Sequence, residues 1–401
     1  MKYCMIIMDG AAGWPLEELG GLTTLAAART PNLDALARGG IVGLAQTVPE
    51  GEEPSSSAAC MAILGYDPVA DFIGRGAIEA ASMGITLAPD EVALRMNLVN
   101  LERGVMHSYA CGHITTAESR PIVEALQREL GDDTFRFHPG VAYRHILVVK
   151  GHPELMDIDY TAPHDISDKF VEEHLPTGPG DELLLGLMER ARELLVTLPE
   201  NADRAATGKC PATDIWPFWP GFAPKGLVPF REKRGVSAAM TSGVDLLNGL
   251  AVLTGIDRLP IPGVTDGSDN DYSGQAMGAL AALADHDLVV IHVESPDEEG
   301  HAGEIAGKVA AIEAIDREVV SRVRERVEAG GLRVLAMPDH PTPIAIKTHV
   351  GQPVPFLIAG EGAGAPGAGP GFFDESTSEA SKRVIDPGFG VMDVFLAPEV
   401  R

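Results

Sequence analysis

The 401-residue sequence has few cysteines and few basic residues, and each shortage excludes a class of protein. Its four cysteines show no CxxC spacing, which argues against a zinc knuckle and against a dense disulfide framework. The 31 basic residues are outnumbered by 58 acidic ones, so a formal charge of −27 repels phosphate backbones and anionic lipids. We therefore expect neither nucleic acid nor a membrane as a partner. The cysteines, which we interpret as reduced thiols, are Cys4, Cys60, Cys111 and Cys210.

Long hydrophobic runs are also missing. The first residues, MKYCMIIMDG, contain an apolar run that is too short for a signal peptide and is ended by a charge. No run of about 18 apolar residues follows, so we expect a soluble cytoplasmic protein. With 45% hydrophobic residues the chain has enough apolar content for a large core, and its length suits two domains or one α/β domain with an insertion.

Apolar runs that precede helical segments indicate an α/β fold. Residues 3–8 predict a first strand, and the segment after Thr30 predicts a helix with proline at its first position. Strand, helix and strand in succession predict parallel pairing. Further strands are predicted at 288–293, 332–337 and 354–358, with helices at 240–253 and 305–327.

The middle of the chain has a different pattern. Between residues 92 and 209, alternating segments and two helices occur in the order β, α, β, with loops rich in proline, histidine and aspartate. This order predicts a small α+β domain inserted into the larger one. We therefore predict a core of residues 1–91 and 210–401 that carries an insertion at 92–209.

Several possible metal ligands fall directly after predicted strands. The carboxyl ends of parallel strands meet at one edge of a sheet, so these residues are expected to converge although they are far apart in sequence. Mixed oxygen and nitrogen donors suit Zn or Mn better than Ca. Two such ions would clamp the attacking and leaving oxygens of a phosphoryl or sulfuryl transfer. The candidate ligands are Asp9, Asp297, His301, Asp339, His340 and His349.

A run of three serines, Ser55, Ser56 and Ser57, lies at or near a predicted helix start. A helix N-terminus favours negative charge, and a metal-bound hydroxyl loses its proton readily, so Ser56 or a neighbour could accept a phosphoryl group. The alternative is that these serines only cap the helix.

Seven short motifs are spread over nearly the whole chain. They are M-D-G at Asp9, T-P-N-L-D-A-L-A at Thr30, A-I-L-G-Y-D-P at Ala62, G-R-G at Gly74, P-D-E-E-G-H at Pro296, P-D-H-P-T-P at Pro338 and K-T-H-V-G-Q-P-V-P-F at Lys347. Together these motifs resemble the archaeal type of cofactor-independent phosphoglycerate mutases, in the alkaline phosphatase superfamily. The resemblance implies an alkaline-phosphatase-like core with a mostly parallel sheet and an inserted cap. It also implies two divalent ions (Mn or Zn), a phosphoserine intermediate and no need for 2,3-bisphosphoglycerate.

The resemblance also implies roles for individual residues. Ser56 stands seven residues before Ile63, where the family places its nucleophile, although the family usually reads G-S-D-T-A-H where this chain has S-S-S-A-A-C. Cys60 thus replaces the expected histidine, and the choice among the three serines stays open. One ion would be held by Asp9, Ser56, Asp339 and His340, and the other by Asp297, His301 and His349.

The inserted domain is expected to bind the anionic groups of a small phosphorylated substrate and to move protons. Arg144 can grip a carboxylate or phosphate with two hydrogen bonds, and His145 or His164 is expected to titrate near neutrality. Arg75, between two glycines, could approach an anion closely. The alternative for each of these four residues is an ordinary salt bridge at the surface, and it explains them about as well. The full set of candidates is Arg75, Arg144, His145, His164, Asp165 and Lys169.

These features predict interconversion of 2-phosphoglycerate and 3-phosphoglycerate, with domain closure excluding water. The stretch A-G-E after His301 and the motif P-D-H-P-T-P are similar to a bacterial branch proposed to act as homoserine kinase. The alternatives are therefore a related phosphotransferase or phosphatase, or a non-catalytic metal-binding relative. The sequence predicts no particular oligomeric state.

Overall fold

The structure is a computed structural model that describes residues 1–224, 226–365 and 367–400. Its contacts divide the chain into two compact units. The core unit comprises Met1–Phe72 and Gly226–Arg401, and the inserted unit comprises Ile73–Lys225. The insertion predicted at 92–209 lies within this second range. No helix in the described part of the chain is both long enough and apolar enough to span a membrane.

Strands and helices alternate in the core unit, whereas the inserted unit is built mainly around one antiparallel sheet. The strands are β1 (Lys2–Met8), β2 (Ile41–Ala45), β3 (Glu91–Glu102), β4 (Val105–Ser108), β5 (Phe135–His138), β6 (Arg144–Lys150), β7 (Asp214–Phe222), β8 (Ala238–Thr241), β9 (Asp257–Arg258), β10 (Leu288–Val293), β11 (Leu332–Met337), β12 (Val354–Gly360) and β13 (Val384–Ile385).

Most α-helices lie between successive strands of these sheets. They are α1 (Thr24–Ala27), α2 (Pro31–Ala37), α3 (Ser56–Ile63), α4 (Arg75–Ser82), α5 (Thr116–Leu130), α6 (Asp181–Thr197), α7 (Pro199–Ala206), α8 (Phe230–Arg234), α9 (Asp245–Thr254), α10 (Tyr272–Ala282), α11 (Ser295–Ala302), α12 (Ile305–Ile315), α13 (Ser321–Glu328), α14 (Glu375–Ala380) and α15 (Val391–Leu396).

The core unit contains an eight-stranded sheet in the order β13-β2-β12-β11-β1-β10-β8-β9. The strands from β11 to β9 run parallel, as the sequence predicted, and β12 is antiparallel to both β11 and β2. The predicted neighbours β10 and β11 do not pair with each other, because β1 lies between them and pairs with both. All residues of β10 and β11 are buried, which explains their continuous apolar sequences.

Two helix predictions need correction. Met240 belongs to strand β8 rather than to a helix, and the helix begins only at Asp245, after a turn at Ser242-Gly243. The long helix predicted between β10 and β11 is interrupted by a π-helical turn at Asp316–Val320. Asp316 begins this turn, and its buried carboxylate accepts hydrogen bonds from the backbone N–H groups of Asn32 and Leu33 at the start of α2.

The inserted unit folds as a five-stranded antiparallel sheet with α5 and α6 packed against it. Strand β3 is its centre and pairs with β4, β6 and β7. Strand β7 was not predicted, because prolines at positions 217 and 220 are unusual inside a strand. Its Trp216 and Phe218 side chains are nevertheless fully buried in the core of this unit.

Burial in β11 gives a direct test of the sheet. Leu335 has no exposed surface, whereas Leu22 is 48% exposed. We expect Leu335→Ala to lower the free energy of unfolding by about 2–5 kcal/mol, because it leaves a cavity between packed layers. The matched change Leu22→Ala should cost less than about 0.5 kcal/mol. Denaturant unfolding of both variants measures the difference, and equal losses would contradict this packing.

Candidate active site

The possible metal ligands of the core unit gather at the carboxyl ends of three adjacent parallel strands. Asp9 follows β1, Asp297 lies in the first turn of α11 after β10, and Asp339-His340 follow β11. This is the edge at which an open parallel sheet binds ligands. The structure thus brings the widely separated candidates together, with His301 and His349 beside them.

One group of donors combines Asp9, Asp339 and His340, all fully buried. The Nε2 atom of His340 lies 3.2 Å from Asp339 Oδ2 and 3.6 Å from Asp9 Oδ1. The Ser56 hydroxyl oxygen is 3.1 Å from the same Nε2 atom. The four donors that the family resemblance implies for one ion thus lie near one another.

A second group combines Asp297, His340 and His349. His349 Nε2 lies 3.5 Å from Asp297 Oδ2 and 2.8 Å from His301 Nε2. His301 in turn lies 3.1 Å from Asp297 Oδ2, since the two residues are four apart on α11. The side chains of Asp297, His301 and His349, which the family resemblance implies for the second ion, thus contact one another, and His349 also lies beside His340.

The motif M-D-G has a steric basis at Gly10. Its φ of +60° lies in the left-handed region, and a Cβ atom there would be 2.3 Å from Asp297 Oδ1. The Gly10 N–H donates to Asp339 Oδ1 at 3.1 Å, and the His340 N–H donates to the same oxygen at 2.8 Å. A side chain at position 10 would therefore clash with Asp297.

Two further side chains hold the ligand loops in place. The Thr342 hydroxyl donates to Asp297 Oδ1 and lies 3.3 Å from His340 Nδ1. The fully buried Lys308 ammonium donates to the backbone oxygens of Ala12 (3.1 Å) and Thr342 (2.7 Å), and burial lowers its pKa to about 8. Lys308 therefore ties the loop after β1 to the loop after β11.

The buried carboxylates strongly affect one another. Burial, together with repulsion from Asp339 and Asp297, raises the pKa of Asp9 well above its usual value. Burial also acts on Asp297, but hydrogen bonds from His301 and His349 outweigh it and hold the pKa of this carboxyl well below its usual value. The bond to Asp297 raises the pKa of His301 to about 9. The site therefore attracts positive charge.

The three serines differ in position. The Ser55 hydroxyl is the N-cap of α3, where it accepts from the Ala58 N–H at 3.3 Å, and it lies 3.0 Å from the Ser57 hydroxyl. Ser56 is the serine whose hydroxyl lies against His340. Ser55 thus caps the helix, whereas Ser56 lies beside the possible metal ligands.

Cys60 lies beside the first ligand group. Its thiol is fully buried and lies 3.7 Å from Asp339 Oδ2, within range of a weak hydrogen bond. Burial and the nearby carboxylates, Asp339 first among them, raise the pKa of this thiol. The neutral thiol is thus a weak donor to the Asp339 carboxylate.

Sequence reasoning missed two residues of this region, His292 and Glu294. His292 is buried in β10, with its Nε2 atom 2.8 Å from Asp9 Oδ2, and Glu294 follows that strand. The sequence feature that could have indicated them is the presence of two polar residues in H-V-E, one residue before the P-D-E-E-G-H motif. The apolar run around His292 predicts only an ordinary strand residue at this position.

Two of the candidates in the inserted unit, Arg75 and Arg144, belong to a cationic cluster around Glu79. Glu79 accepts hydrogen bonds from Arg75 (2.9 Å) and from the buried Arg95 (3.1 Å). Burial alone would raise the pKa of Glu79, but Arg95, Arg75 and Arg144 lower it. Arg75 stacks 4.0 Å above the Trp219 ring and remains 39% exposed. Three guanidinium groups around one carboxylate leave an excess of positive charge.

The remaining candidates occupy three kinds of environment. His145 is buried, its Nδ1 accepts from the Gly140 N–H at 3.0 Å, and burial lowers its pKa to about 3, so the expectation that it titrates near neutrality is wrong. His164 lies beside Trp219, with 5.6 Å between ring centroids. Asp165 and Lys169 are exposed, and the Lys169 ammonium donates to the Asp165 backbone oxygen.

Relatives of this chain are found over nearly its whole length. The family model of 2,3-bisphosphoglycerate-independent phosphoglycerate mutase matches residues 37–201. A protein of that description from Methanosarcina acetivorans is 43% identical over 387 residues, which cover 96% of this chain and 97% of the relative. A solved structure from Pyrococcus horikoshii is 27% identical with a TM-score of 0.82 and covers 98% of this chain and 96% of its own. A cofactor-independent phosphoglycerate mutase from Thermoplasma acidophilum is 27% identical with a TM-score of 0.67 and covers 99% of each chain.

Repulsion among the buried carboxylates predicts that bound cations increase the stability of the folded chain. We expect Mn²⁺ at about a hundred times its dissociation constant to add about 2.7 kcal/mol to the free energy of unfolding, because the ion binds only the folded chain. Thermal melts with Mn²⁺ and with a chelator measure this gain. The variant Asp339→Asn should lose part of it, and melting temperatures independent of Mn²⁺ would contradict a metal site here.

Proposed function

The chain belongs to the 2,3-bisphosphoglycerate-independent phosphoglycerate mutases, and from this we propose that it interconverts 2-phosphoglycerate and 3-phosphoglycerate through a phosphoserine at Ser56. The observation that carries the mechanism is the 3.1 Å separation between the Ser56 hydroxyl oxygen and His340 Nε2, amid buried carboxylates. We propose that the reaction serves glycolysis or gluconeogenesis. All four cysteines are free thiols, which supports our proposal of a cytoplasmic location.

Divalent ions fit the donors in the core unit. Asp9 Oδ1 is buried and has no hydrogen-bond partner among the described residues, as expected of an atom that binds a cation. We assign Asp9, Ser56, Asp339 and His340 to one ion and Asp297, His301 and His349 to the other. Mixed oxygen and nitrogen donors favour Mn²⁺ or Zn²⁺. Such ions, when bound, stabilise negative charge on the transferring phosphoryl group and lower the pKa of a bound hydroxyl.

The transfer then has two steps at one serine. The Ser56 oxygen attacks the phosphorus of the substrate, the bond from phosphorus to the glycerate oxygen breaks, and that oxygen gains a proton as the serine loses one. The retained glycerate presents its other hydroxyl, which attacks phosphoserine and restores the Ser56 hydroxyl. Ser56 lies at the first position of α3, where backbone N–H groups favour the negative charge of its phosphate.

We further propose that the cationic cluster of the inserted unit binds the anionic groups of the substrate. Arg75 is partly exposed and held by Glu79 and Trp219, so its guanidinium is oriented before ligand binds. Arg144 adds charge beside it, and His164, next to the same Trp219 ring, is the candidate for moving protons. Buried His145 stays neutral and supports this unit from within, while Asp165 and Lys169 complete the candidate set at its surface.

A product assay tests the function. The Mn²⁺-loaded protein is incubated with 3-phosphoglycerate, and phosphorus NMR follows 2-phosphoglycerate and free phosphate together. We expect isomerisation with little release of phosphate, because the glycerate must be retained between the two transfers. Release of phosphate as fast as 3-phosphoglycerate disappears would indicate a phosphatase instead. No reaction would contradict the mutase and direct the search to other phosphoryl acceptors, homoserine first.

The serine positions predict different defects. Ser56→Ala should lower the mutase rate by about 10⁴-fold or more, because it removes the nucleophile. Ser55→Ala should lower the free energy of unfolding by about 0.5–2 kcal/mol through loss of the α3 cap. The control Ser57→Ala should keep most of the rate. Steady-state rates and denaturant melts of the three variants measure these defects. A larger loss in rate for Ser57→Ala than for Ser56→Ala would refute Ser56 as the nucleophile.

Arg75 provides a test of substrate binding. Arg75→Ala should raise the KM for 3-phosphoglycerate about tenfold to a hundredfold, because a charged hydrogen bond to the substrate is lost. Arg128→Ala is the matched control, since Arg128 also pairs with a glutamate in the inserted unit but is 64% exposed. Initial-rate kinetics distinguish them, and the same KM in both variants would remove Arg75 from the binding site.

A further inference from the structure

One buried charge of the core unit has no part in the proposed transfer, the ammonium group of Lys308. Its side chain lies on α12 and has no exposed surface. We propose that Lys308 is a positioning residue, which sets the affinity for divalent cations by holding the ligand-bearing loops at a fixed distance from one another. This role rests on the metal site of the proposed function, although Lys308 is not itself one of the assigned ligands.

The hydrogen bonds of the ammonium group join two loops that carry ligands. Lys308 Nζ donates to the backbone oxygen of Ala12 at 3.1 Å and to that of Thr342 at 2.7 Å. Ala12 lies in the loop that begins with Asp9, and Thr342 lies in the loop that contains His340. The Ala12 oxygen also accepts a hydrogen bond from the Thr342 N–H at 3.1 Å. One ammonium group therefore binds both loops at the point where they meet.

Thr342 connects this contact to the ligand side chains. Its hydroxyl donates to Asp297 Oδ1 and lies 3.3 Å from His340 Nδ1. Asp297 is assigned to one ion and His340 to the other, so a shift of the Thr342 backbone would disturb a ligand of each. Residues that hold metal ligands through hydrogen bonds commonly change metal affinity by about tenfold to a hundredfold when they are replaced. Lys308 acts one residue further out, through Thr342.

A third ligand-bearing segment is connected through the helix that carries Lys308. Helix α12 follows α11, which contains Asp297 and His301, and the two helices are separated by a short turn at Gly303 with a φ of +82°. Lys308 lies in the first turn of α12, directly after this connection. The side chain thus joins the helices after β10 to the loops after β1 and β11.

A carboxylate outside the ligand groups offsets the charge of Lys308. Glu375, at the start of α14, accepts hydrogen bonds from the Gly13 N–H at 3.1 Å and from the Thr23 hydroxyl at 2.7 Å. Burial lowers the pKa of Lys308 to about 8, while Asp297, Glu375 and other carboxylates oppose this shift. With Glu375 nearby, the ammonium repels bound cations less than an isolated charge would.

Removal of Lys308 has two effects of opposite sign. Loss of a positive charge near the site favours tighter binding of cations, because like charges repel. Loss of the two hydrogen bonds frees the loops and leaves buried backbone oxygens with fewer donors, which favours weaker binding. Because Glu375 already offsets the charge, we expect the second effect to dominate. The direction of the change in affinity therefore separates a positioning role from a simple effect of charge.

Mn²⁺ affinity tests this role without using activity. Electron paramagnetic resonance of free Mn²⁺ gives the Kd of each variant. We expect Lys308→Met, which keeps the length of the side chain but removes its donors, to raise the Kd about tenfold or more. Lys308→Gln, which keeps N–H donors without the charge, should raise it less. The matched control Lys2→Met should leave it unchanged, because Lys2 also donates to a backbone oxygen, that of His286 at 2.8 Å, but lies at the opposite end of β1 from the ligands.

Unchanged or tighter Mn²⁺ binding by folded Lys308 variants would overturn the positioning role, and circular dichroism shows whether each variant is folded. Lys308→Gln decides alone if Lys308→Met does not fold. The failure of this role can be distinguished from that of the proposed function. A wild-type protein that binds no Mn²⁺ would contradict the metal site itself, whereas equal affinities in the wild type and both Lys308 variants would refute only the role of Lys308.

Discussion

The constraint on which the rest of this structure depends is the burial of several carboxylates close together. Asp9, Asp297 and Asp339 lie at the ends of neighbouring parallel strands, where water cannot screen their repulsion. The apolar strands behind them place these side chains with little freedom to move apart. The same arrangement that makes the apo site costly makes it a strong binding site for cations, since buried charges need partners.

Part of the carboxylate charge is stabilised by hydrogen-bond donors of the protein itself. Backbone N–H groups of Gly10 and His340 bind one oxygen of Asp339, and Thr342 binds Asp297. Lys308 adds a positive charge nearby but donates to backbone oxygens rather than to the carboxylates. Other oxygens of these carboxylates face histidine nitrogens, and one of those histidines, His340, contacts the Ser56 hydroxyl. Such an arrangement places the proposed nucleophile close to the charged groups that would activate it.

Much of this was predictable from sequence because buried parallel strands have an unmistakable pattern. The bounds of β10 and β11 agree with their apolar runs, and the ligands that follow strands converge as the sheet rule requires. Prediction failed where tertiary contacts override local pattern. Strand β7 contains two prolines, and His292 looks like part of an apolar strand until its contact with Asp9 is known. The burial of His145 could not be read from its neighbours in sequence either.

The central claim is that Ser56 carries the phosphoryl group between the two positions of the substrate. The most direct measurement is to mix the Mn²⁺-loaded protein with 3-phosphoglycerate, quench in acid within milliseconds and locate phosphate on the peptides by mass spectrometry. The account predicts a phosphorylated peptide with the modification on Ser56, formed and lost at rates compatible with turnover. Turnover without any phosphopeptide, or with phosphate on a different residue, would contradict it.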